Sequence, residues 1–120
     1  MRAFLAVAFA AIALAGCQTV GSSIGRVFQP DLYAEMADAD VTMAVDTMQA
    51  ALETAPDGSG SSWSNPQTGN QGRITPQRTY QTDAGFFCRD YSESLTVGGR
   101  TAVYDRSACR LDDGAWHLRT

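Results

Sequence analysis

The chain has 120 residues, a formal net charge of −4 and 18% charged residues. That length allows one small domain, and the acidic balance excludes a basic nucleic-acid binder. Fourteen of the first sixteen residues are hydrophobic, whereas from Cys17 on Leu, Ile, Val and Phe supply only 16 of 104, thin for a self-sufficient core.

Met1-Arg2 carries one positive charge, and Ala3 to Ala15 is an unbroken apolar run of thirteen residues. A permanent span needs about 20 residues, so this run has the length of a secretion-signal core instead. It ends in Leu14-Ala15-Gly16-Cys17, which resembles the bacterial lipobox. That resemblance implies cleavage before Cys17 and acylation of its thiol and new amine, with membrane lipid as the partner. Two acyl chains are enough to hold a protein at a bilayer. Gln18, rather than Asp, follows the cysteine, which suggests delivery to the outer membrane. The expected organisation is a signal peptide over 1–16, a lipidated N-terminus and flexible tether over 17–30, and a domain over 31–120. The tether reading rests on Gly21, Ser22, Ser23 and Gly25 and the lack of any sustained period.

Asp31 to Ala55 has a helical pattern. Val41, Val45, Met48 and Leu52 recur at helical spacing, with Ala44 and Ala51 alongside. Asp38 or Asp40 is placed to cap its start, and Pro56-Asp57-Gly58 to stop it. Leu32 to Ala37 is either an earlier turn of the same helix or a separate short one. After Gly58 the helical period disappears. Strands are expected near Ser61–Asn65, Arg73–Gln81, Gly85–Val97, Arg100–Arg110 and Ala115–Arg119, separated by turn-forming residues. The fold class predicted is α+β: one main N-terminal helix packed on an antiparallel meander of four or five strands. Trp63, Trp116, Val45, Met48 and Leu52 are expected to share its core.

Charge is uneven. Val27 to Asp57 holds seven acidic residues and no basic one, and Gly58 to Thr120 holds seven Arg against six acids. The acids make either a solvated helix face or a face that selects a basic partner.

Gly98-Gly99 suits a two-residue hairpin turn, because both central positions need positive φ. With Val97 opposite Arg100, the pairing runs back to place Cys88 opposite Cys109. Alternation makes that a non-hydrogen-bonded pair, where Cα atoms approach to about 4.5 Å, within disulfide reach. An exported address and a matched register together predict the Cys88–Cys109 disulfide. The same register gathers Phe87, Tyr91, Leu95 and Val97 with Ala102, Tyr104 and Ala108 on one face, interleaved with Arg89, Arg106 and Arg110. This is the expected core face. Arg89, Tyr91, Tyr104, Arg106 and Arg110 are also the candidates for a partner-binding patch, the alternative being ordinary sheet packing with cation–π contacts.

Trp63-Ser64-Asn65-Pro66, Thr68-Gly69-Asn70 and Gly72 resemble the signature of bacterial surface-antigen lipoproteins, the family of the seventeen-kilodalton common surface antigen. The likeness continues through Thr75-Pro76, Cys88-Arg89-Asp90-Tyr91, Gly98-Gly99, Ala108-Cys109-Arg110 and Asp113-Gly114-Ala115-Trp116. It implies an outer-membrane lipoprotein with a small globular domain and supplies no activity. Where many members carry a glycine zipper, only Gly21 and Gly25 stand here.

His117 is the only imidazole after the signal, beside Trp116 on an expected strand edge, with no nucleophile in its segment. One His and an oxidised cysteine pair cannot make a zinc site, so no metal is expected. Asp112-Asp113 reads as a turn, and Asp90 with Glu93 as solvated carboxylates. The glycines near Gly69 lack a P-loop lysine; no cofactor is expected. The leading expectation is a non-enzymatic outer-membrane lipoprotein, lipid-anchored and serving envelope organisation or surface presentation, with an envelope protein as a possible partner. The alternative is a binding module such as an inhibitor of a cell-wall hydrolase.

Overall fold

The computed structural model describes residues 31–119, so Cys17 and the tether lie outside the described residues. A short 3-10 turn, Leu32–Glu35, precedes helix α1, Asp38–Thr54. Strands β1 (Ser61–Ser64), β2 (Gln71–Gln81), β3 (Phe87–Val97), β4 (Arg100–Arg110) and β5 (Trp116–Leu118) follow. They form one antiparallel sheet in chain order. This is the α+β meander expected, in its five-stranded form.

The helical segment is two pieces. Met36 and Ala37 adopt extended backbone (ψ 146° and 156°) and separate the 3-10 turn from α1. Ala37, not Asp38 or Asp40, occupies the N-cap. Asp40 sits three residues in, and its carboxylate accepts the Ala37 N–H at 3.0 Å. That is the reciprocal half of a capping box.

The buried stripe of α1 is Asp40, Ala44, Met48, Ala51 and Leu52. Val45, expected in the core, is 38% exposed. The helix is turned about one residue from the face its larger side chains suggest. Its alanines approach the sheet, where Trp63, Tyr91 and Trp116 already fill the space. The core is also divided. Met48, Ala51, Leu52, Ile74, Tyr91, Ala108 and Trp116 form one cluster. Leu32, Ala44, Trp63, Leu95 and Val97 form the other. The two tryptophans therefore anchor different clusters rather than one shared core.

β2, β3 and β4 are eleven residues each. β3 alternates most cleanly, with Tyr91, Glu93, Leu95 and Val97 buried on the helix side. β2 is interrupted by a bulge between Pro76 and Arg78. There a proline, which cannot donate to a ladder, is tolerated. Gly98 and Gly99 have φ of +58° and +78°, the conformation a two-residue hairpin turn demands. β3 and β4 pair without a bulge from Val97↔Arg100 to Cys88↔Cys109. The cysteines are bonded, with Cα atoms 4.0 Å apart and a sequence separation of 21.

A loop of that size corresponds to about 3 kcal/mol of restricted unfolded-state entropy. Cys88→Ser combined with Cys109→Ser is expected to lower stability by about that amount. Urea denaturation followed by tryptophan fluorescence, with and without reductant, measures it. Reductant should weaken the native chain and leave the double variant unchanged.

Candidate functional site

The densest polar arrangement lies where α1 meets the β1–β2 loop. Asp40 is fully buried (0% exposed). Its Oδ1 accepts the Asn65 side-chain amide and the Thr68 hydroxyl, each at 2.8 Å. Its Oδ2 accepts the Asn70 side-chain amide at 2.8 Å and the Ala37 N–H at 3.0 Å. Burial alone would raise the Asp40 pKa, but donation from Asn70, Thr68, Asn65 and Ala37 holds it below the ordinary 3.8. With four donors on two oxygens, no lone pair is left for a proton, substrate or metal.

The loop is itself fixed. The Asn65 side chain accepts the Gln67 N–H, Thr68 Oγ1 accepts the Asn70 N–H, and the Asn70 side-chain oxygen accepts the Gly98 N–H. Gly69 takes φ +77°. One loop thus ties the helix to the glycine hairpin at the same end of the sheet. Trp63 lies directly across from Gly72, and a Cβ at Gly72 would collide with the indole. The Trp63–Gly72 sequence signature is therefore a structural device. Its Asn, Thr and Asn bind one buried carboxylate, and its glycine makes room for the tryptophan.

A second polar centre holds the 3-10 turn. Glu93 is 1% exposed. It accepts the Tyr33 hydroxyl at 2.6 Å and Arg106 Nε at 2.5 Å. The other end of Arg106 donates to Asp31 at 2.8 Å. The guanidinium lies 4.5 Å from the Tyr104 ring centroid and 5.3 Å from that of Tyr33. Tyr104 in turn accepts the Leu32 N–H at 3.0 Å. Burial first, and then the bond to Glu93, push the Tyr33 pKa up. Glu93 was expected to be solvated beside Asp90. Instead the two lie on opposite faces of β3 because they are an odd number of residues apart.

Several acids from the first half meet arginines from the second. Asp31 pairs with Arg106, Glu35 with Arg100, Glu53 with Arg110 and Asp57 with Arg89. Four of the seven acids of that segment thus meet an arginine of the sheet. Arg89, 7% exposed, donates to the Leu52 carbonyl at 2.8 Å and to Asp57 at 2.7 Å. A cation thus sits at the C-terminal end of α1, where the helix dipole favours it. Asp57 is held below its ordinary pKa, chiefly by the Arg89 hydrogen bond. Gln49 clasps the edge strand through both the N–H and the carbonyl of Trp116, at 2.8 and 2.7 Å.

Of the five hairpin residues considered for partner binding, Arg89 and Tyr91 are buried and Tyr104 and Arg106 partly so. Arg110 presents 46% of its side chain to solvent. It borders an open cleft of about 500 Å³ also lined by Leu52, Phe87 and Trp116. A smaller, mostly apolar groove of about 240 Å³ runs past Val45, Met48, Tyr33 and Leu118. His117 lies on the edge strand β5 with Nε2 2.7 Å from Asp113. Among the described residues no three His, Cys, Asp or Glu side chains are grouped to hold a metal ion.

The sequence pointed to the motif residues but not to what they bind. Asp40 read as a candidate helix cap within an acidic run, with no sign of the loop side chains it binds. The available signal was the offset of three hydrogen-bonding side chains within a short loop that contained no obvious ligand of its own.

These features define a small helix-on-sheet domain whose polar centres join its own elements. Residues 50–117 match the family described as 17 kDa outer membrane surface antigen, and the chain belongs to that family. It is 42% identical over 85 residues to the 17 kDa surface antigen of Rickettsia japonica, covering 71% of this chain and 54% of the relative. The Rickettsia prowazekii 17 kDa surface antigen is 44% identical over 72 residues, 60% of this chain and 45% of the relative. The Rickettsia bellii protein of that name is 41% identical over 85 residues, 71% and 54% respectively. The chain spans about half the length of these curated relatives. No solved structure matches it.

Proposed function

We propose that this chain is a non-enzymatic lipoprotein of the outer membrane, held by acyl groups on Cys17, that presents a disulfide-clipped domain for envelope organisation or surface display. The observation that carries the anchor is the apolar run ending in Leu14-Ala15-Gly16-Cys17. The Cys88–Cys109 bond supports an oxidising destination. The non-enzymatic reading is supported by the saturation of Asp40 and the enclosure of Glu93 between Tyr33 and Arg106. Two buried carboxylates that could have been reactive are committed to holding the fold. Of the hairpin candidates for partner binding Arg110 is the exposed one, and the cleft it borders with Phe87 and Trp116 is open to a partner there.

The test is mass spectrometry of the protein recovered from membranes, with Cys17→Ala beside the native chain. The native chain is expected to begin at an acylated Cys17 and to fractionate with outer membrane. The variant should keep its apolar leader or be released in soluble form. A native chain with an unmodified Cys17 would overturn the anchor.

A further inference from the structure

Each face of this sheet's outer strands is finished differently. β5 covers β4 only from Ala108 to Arg110, and the Arg119 N–H extends that cover to the Ser107 carbonyl at 2.8 Å. From Arg100 to Arg106 the outer edge of β4 has no strand beside it among the described residues. In an antiparallel ladder, residues of non-hydrogen-bonded pairs point their N–H and C=O away from the partner strand. Val97 and Arg100 close the hairpin, so Thr101, Val103 and Asp105 are the residues whose backbone groups face outward. Ser107, next in that series, shows the expected direction through its bond from Arg119. The opposite flank of the sheet, where β2 outruns β1, is protected. Pro76 and a bulge interrupt it, and the Gly58 N–H occupies the Pro76 carbonyl at 2.7 Å. Edges are commonly protected by such devices. Among the described residues the β4 edge has no proline or bulge along Thr101–Asp105 and a single charge, Asp105, and Val103 at its centre is 66% exposed.

We propose that this edge pairs with the same edge of a second copy, antiparallel, about a two-fold axis through Val103. The register is self-consistent. Val103 lies opposite Val103 and Thr101 opposite Asp105, so all outward-facing residues meet outward-facing residues. Six backbone hydrogen bonds form. On the exposed face two valines stack, flanked on each side by a threonine hydroxyl facing a carboxylate. On the helix face Ala102 lies opposite Tyr104, small against large. Arg100, whose side chain is 62% exposed, lies opposite Arg106, which already sits between Asp31 and Glu93. That cluster carries one more negative than positive charge, and Arg100 arrives already paired with Glu35 of its own chain, so the two arginines meet with their charges offset. The result is one continuous ten-stranded sheet with a helix layer on a single face.

Cysteine substitution in the full-length chain reads the register. In a hydrogen-bonded pair the Cα atoms are about 5.5 Å apart, within disulfide reach. Under mild oxidation Val103→Cys alone should give a covalent dimer. Thr101→Cys and Asp105→Cys should crosslink when mixed and stay uncrosslinked when each is alone. Sedimentation of Val103→Lys should show association weakened about tenfold or more, because like charges meet on the axis. Retention of the Cys88–Cys109 bond, followed by mass spectrometry, reports that each variant is folded. A folded Val103→Cys chain that stays monomeric overturns the proposal. So does equal crosslinking of Thr101→Cys alone, or recovery of the edge covered by an extended segment of a different protein.

Discussion

Asp40→Ala is expected to be among the most damaging single substitutions in this domain, costing about 3–5 kcal/mol. The loss comes less from the carboxylate itself than from what it leaves behind. The amides of Asn65 and Asn70 and the hydroxyl of Thr68 all aim at its oxygens, and buried donors without acceptors cost about 1–3 kcal/mol each. Asp40→Asn should recover little, because one acceptor becomes a donor facing donors. Asp38→Ala, one turn-start earlier on an exposed position, should change stability by no more than about 0.5 kcal/mol. Urea titration of the three variants separates these outcomes. The pH dependence has a definite sign. The Asp40 pKa lies below the ordinary 3.8 when folded, so its contribution is complete above that value. It is lost as the pH falls through 3.8 toward the folded pKa. Native stability should therefore fall steeply on the acid side, and more shallowly in Asp40→Ala.

Arg106→Met is expected to cost about 3–5 kcal/mol, because it strands Glu93 as an unpaired buried charge. Arg106→Met with Glu93→Leu should recover much of that loss, since a buried ion pair is replaceable by apolar groups of similar size. A double-mutant cycle measured by urea unfolding gives the coupling directly. Non-recovery would mean that Tyr33, losing its acceptor, matters more than the ion pair. The same centre limits the alkaline range. Burial and the Glu93 bond raise the Tyr33 pKa above the ordinary 10.0. Its contribution is therefore intact below pH 10 and lost as the pH rises beyond it.

Much of the strand layout was legible because it depends on local rules. Gly98-Gly99 allows one turn, the turn allows one register, and the register brings Cys88 to Cys109. The helix face was misjudged because periodicity weighs apolar side chains and does not see their neighbours. Val45 scores as core, but Ala44 is what fits against Trp63 and Leu95. Asp40 was illegible for a related reason. Burying a carboxylate is unfavourable in isolation, and the donors that offset it are 25 to 30 residues away. Glu93 is different. Its place on the Tyr91–Leu95 face follows from simple alternation, and only its charge argued against placing it there. Arg106 directly beside Tyr91 in the ladder was the compensating charge.

The separation of acids from arginines along the chain has a temporal consequence. Glu53 waits 57 residues for Arg110, Glu35 65 for Arg100, and Asp31 75 for Arg106. A polypeptide released N-terminus first, from a ribosome or through a pore, offers its helix long before the arginines that latch it down have emerged. Asp40 meets Asn65, Thr68 and Asn70 over a shorter stretch of chain, but the ion pairs that fasten Asp31, Glu35 and Glu53 to β4 must wait until that strand is delivered.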